Sequence, residues 1–136
     1  MDTIGVLTTV ASMDQARQLA RAIVERRLAA CAQLSSIESF YHWNGVVQDE
    51  PEVRVLFKTT RAQHARLQAA LLGLHPYALP AIYAVELFGV HAPYAQWVSE
   101  HTHQEDILST DLHTSASAVD QAGSPVVPCL RYRDAP

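Results

Sequence analysis

Lysine is almost missing from this chain: of ten basic residues nine are Arg, and Lys58 stands alone. The basic residues form no run, so a sequence-independent grip on phosphates is not expected and no nucleic-acid partner is assigned. Apolar runs fall well short of the roughly 18–20 residues that span a bilayer, so no membrane partner is expected either. Cysteine occurs twice, as Cys31 and Cys129, far apart in sequence; a disulfide framework is not expected. Met1-Asp2-Thr3 carries no basic n-region, which reads as no secretory signal and a reduced, cytoplasmic location. Glycine is scarce, at five residues, and the first loop, Ala11-Ser12, contains none. A phosphate-cradling loop opening a helix is therefore absent. The Gly-x-Ser-x-Gly, His-Glu-x-x-His and Walker patterns are absent too, and no enzymatic activity is expected.

What is present reads as a single folded domain with a tail. The chain has 136 residues, 49% hydrophobic and 18% charged, enough for one closed core. Eight basic residues stand against nine acidic ones through Thr102, and two against five from His103 onward. The domain is placed at 1–102. Residues 103–136, rich in Ser, Thr, Asp, Ala and Pro, read as a mostly irregular tail. Its one anchor would be Val126, Val127, Leu130 and Tyr132, in extended contact with a sheet edge.

Periodicity orders the elements within the domain. Thr3 to Val10 is β-branched and apolar, a strand buried on both faces. Ser12 with Gln15 forms a capping-box pair. Ala16, Leu19, Ala20, Ile23, Val24 and Leu28 then share one helical face, predicting a helix from about Met13 to Arg27. Ala32 to Tyr41 reads as a strand, and Asn44-Gly45 as a hairpin turn, because a type I′ turn needs positive φ at both central residues. A third strand covers part of Val46 to Thr59, with Pro51 marking a bulge or an edge. Thr59 or Thr60 caps a helix with Leu67, Ala70, Leu71 and Leu74 as its stripe, and His75-Pro76 ends it. Ile82 to Phe88 is a fourth strand, and Ala92-Pro93 opens a last short helix with Tyr94, Trp97 and Val98 inward. The order β-α-β-β-α-β-α is the split βαβ pattern, an α+β, ferredoxin-like subunit whose antiparallel sheet carries two helices on one face.

Several activities use this architecture, and each needs its own residues. A soft-metal chaperone would carry Cys-x-x-Cys after the first strand, where this chain has Thr8-Thr9-Val10-Ala11. A single-strand RNA binder would show aromatics on the central strands; the first strand has none.

Certain segments are more telling in combination: Leu28-Ala29-Ala30-Cys31-Ala32, then Tyr41-His42-Trp43-Asn44-Gly45, then Glu52-Val53 with Leu56-Phe57-Lys58-Thr59-Thr60, and finally His75-Pro76-Tyr77 with Pro80. In order and spacing the chain resembles the CutA divalent-cation-tolerance family over roughly Ile4 to His101. The resemblance implies a PII-like homotrimer, with the second and third strands extending sheets across subunit boundaries. It also implies metal tolerance and copper binding. Copper-binding members carry softer donors where this chain has Thr8 and Leu74, and many have Glu where it has Ala81, so only weak binding of copper or another divalent cation is expected.

The metal candidates are His75 and Cys31. An imidazole suits Cu(II) and a thiolate suits a soft ion. His75 otherwise reads as a helix-terminal residue whose imidazolium favours the dipole, and Cys31 as a small buried side chain. The candidates for a ligand cleft at a subunit boundary are Lys58, Glu52, Tyr41, Trp43 and Tyr77. Lys58 would pair with Glu52 or Glu50 or hold a small anion; the aromatics alternatively pack an oligomer interface. His101, His103 and His113 read as solvated. A PII-like signalling or scaffold protein binding a small ligand between subunits is the alternative function.

Overall fold

The computed structural model describes residues 2–102; the tail contacts expected of Val126, Val127, Leu130 and Tyr132, with His103, His113 and Cys129, lie outside the described residues. Four strands form one sheet in the order β2-β3-β1-β4: β1 (Thr3–Val10), β2 (Cys31–Trp43), β3 (Val46–Thr60) and β4 (Ile82–Glu86). Every pairing is antiparallel. Helices α1 (Met13–Glu25) and α2 (His64–Leu74) connect β1 to β2 and β3 to β4, and α3 (Ala92–Glu100) follows β4. This is the split βαβ, ferredoxin-like arrangement expected from the periodicity.

The core lies between the sheet and the two longer helices. Ile4 and Val6 of β1 and Val53, Val55 and Phe57 of β3 alternate toward Ala16, Leu19 and Ile23 of α1 and Leu67 and Leu71 of α2. Alternate residues of the same strands face the other way, where α3 lies: there Tyr94 meets Lys58 and Cys31.

The local signals act as their chemistry dictates, with instructive exceptions. Ser12 Oγ accepts the Gln15 N–H at 3.1 Å, and Gln15 Oε1 accepts that of Ala11 at 3.1 Å. Asn44 and Gly45 take φ of 54° and 77°, as the hairpin turn requires. Helix α1 ends at Glu25, two residues before the periodicity does, because Arg27 turns to φ 60°. The Arg27 and Leu28 N–H groups then bond the Val24 and Ile23 carbonyls in a Schellman closure, with Leu28 and Ile23 both buried. Thr60 precedes a single 3-10 turn, Arg61–Gln63, without a side-chain capping bond, while Thr59 Oγ1 donates to the Leu28 carbonyl at 2.8 Å. Neither threonine therefore caps α2, contrary to expectation.

The β2–β3 hairpin outgrows the sheet. Pairing of β1 with β3 stops at Val10↔Val53, whereas β2 with β3 continues through Ile37↔Glu52 to Trp43↔Val46. Those seven pairs form a two-stranded arm reaching about 20 Å beyond the sheet at roughly 3.3 Å per residue. Pro51 lies within it, where β3 has no neighbour on its β1 side, so its missing N–H costs little. Phe40 is 65% exposed and Val47 60% on the same arm.

Candidate functional site

The residues singled out from sequence fall into three separate places. At the root of the arm, Thr8, His75, Tyr77, Glu52 and Ser39 form a continuous hydrogen-bonded chain. Proline at 76 stops α2 and sets His75 in extended backbone (φ −70°, ψ 135°), which turns the imidazole inward. His75 is only 6% exposed. Its Nδ1 accepts the Tyr77 backbone N–H at 3.1 Å, and its Nε2 lies 2.9 Å from Thr8 Oγ1. A backbone N–H can only donate, so Nδ1 is the bare nitrogen and Nε2 carries the proton, which it gives to Thr8. Burial pushes the His75 pKa down to about 4, against a weaker opposing hydrogen bond with the Thr9 backbone.

Tyr77 extends the chain. Its ring lies 5.0 Å from the His75 ring at 57°, and its hydroxyl donates to Glu52 Oε2 at 2.8 Å. Ser39 Oγ donates to the other carboxylate oxygen at 2.7 Å. Glu52 is the first residue of β3 past its pairing with β1, so the chain fastens the loop after α2 to β1 and to both strands of the arm.

This geometry leaves His75 with neither role expected of it. It is not a helix-terminal cation, because it is buried and neutral at pH 7. It also presents no unused lone pair to a metal, because Nδ1 is taken and Nε2 is protonated. Among the described residues, no three His, Cys, Asp or Glu side chains converge as a metal cage.

Lys58 and Cys31 meet elsewhere, paired across β3 and β2. Lys58 Nζ donates to Gln33 Oε1 at 3.1 Å and sits 5.6 Å from the Tyr94 ring centroid. Tyr94 Oη is 4.0 Å from the Cys31 sulfur, and burial with the adjacent thiol pushes the Tyr94 pKa up. Tyr94 stacks on Trp97 at 5.8 Å, and Trp97 meets His101 at 4.8 Å. Lys58 does not pair with Glu52 or Glu50: six residues of extended β3 separate it from Glu52, about 20 Å. Tyr41 and Trp43 lie farther out, on the arm opposite Gln48 and Val46. Within one subunit, therefore, the five ligand candidates do not gather into a single cleft.

Sequence reading missed Ser39 and Gln33 as site residues, since a lone Ser or Gln in a strand carries no signal. In sequence Thr8 reads as the replacement of a softer ligand, not as the hydrogen-bond acceptor that it is for His75. Tyr94 was legible only as an apolar helix face.

A ferredoxin-like subunit with an over-long hairpin arm and a buried polar clamp at the arm's root defines the class of protein. Residues 4–101 match the family of the CutA1 divalent ion tolerance protein, and the chain belongs to that family. It is 39% identical over 98 residues to the divalent-cation tolerance protein CutA of Thermus thermophilus, covering 71% of this chain and 95% of that one. It is 36% identical over 88 residues to human protein CutA, covering 64% of this chain and 49% of the human one. Among solved structures, CutA from Synechococcus elongatus superposes with a TM-score of 0.73 at 38% identity, covering 75% of this chain and 91% of that one. CutA1 from Pyrococcus horikoshii gives 0.72 at 33%, covering 74% and 99%.

Proposed function

We propose that this protein is a cytoplasmic, non-catalytic homotrimer of PII-like form that serves divalent-cation tolerance and binds copper or another divalent cation weakly. The observation that carries the assembly is the arm. A two-stranded ribbon is marginal in water by itself, and this one exposes Phe40, Val46 and Val47. Exposed apolar groups on a projecting ribbon favour burial against another copy. The sheet edges β2 and β4 offer unpaired backbone for the same purpose, and Tyr83, Val85 and Phe88 extend the apolar surface at β4.

Light scattering at micromolar concentration should return about three times the 15.0 kDa chain mass. Residues 1–102 alone should return a trimer as well, since the elements of the fold are complete by then. A monomer of either length overturns the assembly, and a monomer of the shorter chain alone overturns the domain boundary.

The weakness of the metal site follows from the dispersal of donors. Cys31 is a free, half-buried cysteine, whereas His75 would have to surrender the Tyr77 N–H, leaving a buried donor unmade at about 1–3 kcal/mol. We therefore place the ion at Cys31 ahead of His75. Calorimetric titration with copper should show weak binding, lowered in Cys31→Ser and retained in His75→Asn. Tight binding, or binding lost in His75→Asn with the fold intact, would reverse that order.

One observation favours the alternative of a small ligand held between subunits: among the described residues Lys58 has no carboxylate partner, only Gln33 and the Tyr94 ring. Inorganic phosphate that raises the melting temperature of the wild type but not of Lys58→Gln would support that reading.

A further inference from the structure

One face of the sheet meets α1 and α2; the opposite face meets α3, at Lys58 and Cys31. Directly paired residues of neighbouring strands share a face, so the register lays this second face out in rows. Lys58 lies beside Gly5 and Cys31, Leu56 beside Leu7 and Gln33, and Arg54 beside Thr9 and Ser35. Toward the arm the face is open: Leu7 and Leu56 are only half-buried, and Arg54, Ser35 and Gln33 are exposed. Arg54 has no partner among the described residues; Glu52, two positions along the same face, is held by Tyr77 and Ser39. Lys58 has no carboxylate partner among them either. The face thus carries two uncompensated cations about 13 Å apart along β3, with the apolar pair Leu7 and Leu56 between them.

The chain that follows the domain has the complementary order. The family match ends at residue 101, and it covers 95% of the Thermus relative and 99% of the Pyrococcus structure, so residues 103–136 are an addition to the domain that those relatives share. Thr102 is 8% exposed and bonds back to Val98 and Ser99 of α3. It stands eight residues past Tyr94, whose ring sits on Lys58, so about 12 Å of helix separates the start of the added segment from that cation. The segment then carries Glu105 and Asp106, the apolar Ile107 and Leu108, and Asp111, with no Lys or Arg before Arg131. From Glu105 to Asp111 an extended chain spans about 20 Å, enough to pass both cations. A short tether also gives such a segment an effective concentration on the order of millimolar, which favours it over a free anion or a second copy.

From this match we infer that residues 105–111 dock on the open sheet face of their own subunit, with Glu105 and Asp106 toward Lys58, Ile107 and Leu108 over Leu56 and Leu7, and Asp111 at Arg54. The contact lies nearer the domain than the anchor at Val126, Leu130 and Tyr132 that composition suggests. It depends on neither the trimer nor a bound metal.

The test is the rate at which a glutamate-specific protease cuts the full chain after Glu105, read by mass spectrometry and divided by the rate for the same chain unfolded in urea. Cleavage of a docked segment follows its open fraction, so the wild type should be cut slowly, and faster as salt is added. Arg54→Glu should speed the cut about fivefold, the scale of an exposed ion pair. Asp111→Lys should do the same, and since it leaves residues 1–102 untouched its effect cannot come from a misfolded domain. The double variant Arg54→Glu, Asp111→Lys should return to slow cleavage, because the pair is restored with its signs exchanged. A wild type cut as fast as its urea-unfolded form, equal rates in all four proteins, or a double variant cut as fast as the singles would overturn the inference. So would a cleavage rate that falls as the protein concentration rises, because a second copy would then be what shields the segment.

Discussion

Taking the protein from pH 7 to pH 4 is expected to remove about 3 kcal/mol of stability through His75 alone. Burial holds this imidazole neutral, with a pKa of about 4 against the ordinary 6.5. Below 6.5 the unfolded chain takes up a proton that the folded one refuses. The stabilisation is therefore complete above about pH 6.5, falls as the pH drops toward 4, and levels off below. Protonation also converts Nδ1 into a donor facing the Tyr77 N–H, also a donor, so the first link of the clamp is lost with the charge. Urea midpoints at pH 7, 5.5 and 4, at one protein concentration, measure the slope. In His75→Gln the slope between pH 6.5 and 4 should largely disappear; an undiminished slope in that variant would place the acid sensitivity elsewhere.

Tyr77→Ala should cost about 3–4 kcal/mol, the range for truncating a buried aromatic, because Tyr77 is 7% exposed and packs on the His75 ring. Tyr77→Phe keeps the ring and loses only the bond to Glu52, so about 1 kcal/mol is expected. The two variants separate packing from hydrogen bonding. Glu52 retains Ser39 in either case, so the arm should stay paired while its root loosens. Faster amide exchange around Ile37 and Glu52 in Tyr77→Phe would report that loosening. Equal losses from Ala and Phe would mean that the hydroxyl carries most of the effect and the ring packing little.

The clamp also shows why a local reading of His75 goes astray. Beside Pro76 at the end of a helical stripe, a histidine reads as exposed, and exposure suggests either a ligand or a charge near the dipole. The proline instead forces the extended backbone that swings the ring under the sheet end. Its partner Thr8 is 67 residues away in sequence, a separation at which no periodicity operates.

The elements of this fold were legible because their signals are short-range. The β-branched, apolar run of β1, the capping pair Ser12 and Gln15, positive φ at Asn44-Gly45 and the stop at His75-Pro76 each act within a short stretch of chain. The order of those elements, with the family's segments at matching spacing, was enough to place the chain among ferredoxin-like CutA proteins. Ends of elements were less legible: α1 stops at Glu25, with Arg27 at positive φ although no glycine marks the place, because Leu28 gains burial on Ile23 by the turn. Only the tertiary structure decided which functional side chains meet. Glu52 and Lys58 share one strand and one motif, yet an extended strand separates them by about 20 Å, while register and loop closure bring Glu52 to Tyr77 and Lys58 to Tyr94. Asp2, Arg61 and Glu86 likewise carry no joint pattern in sequence; they become neighbours because β1 pairs with both β3 and β4 in the middle of the sheet.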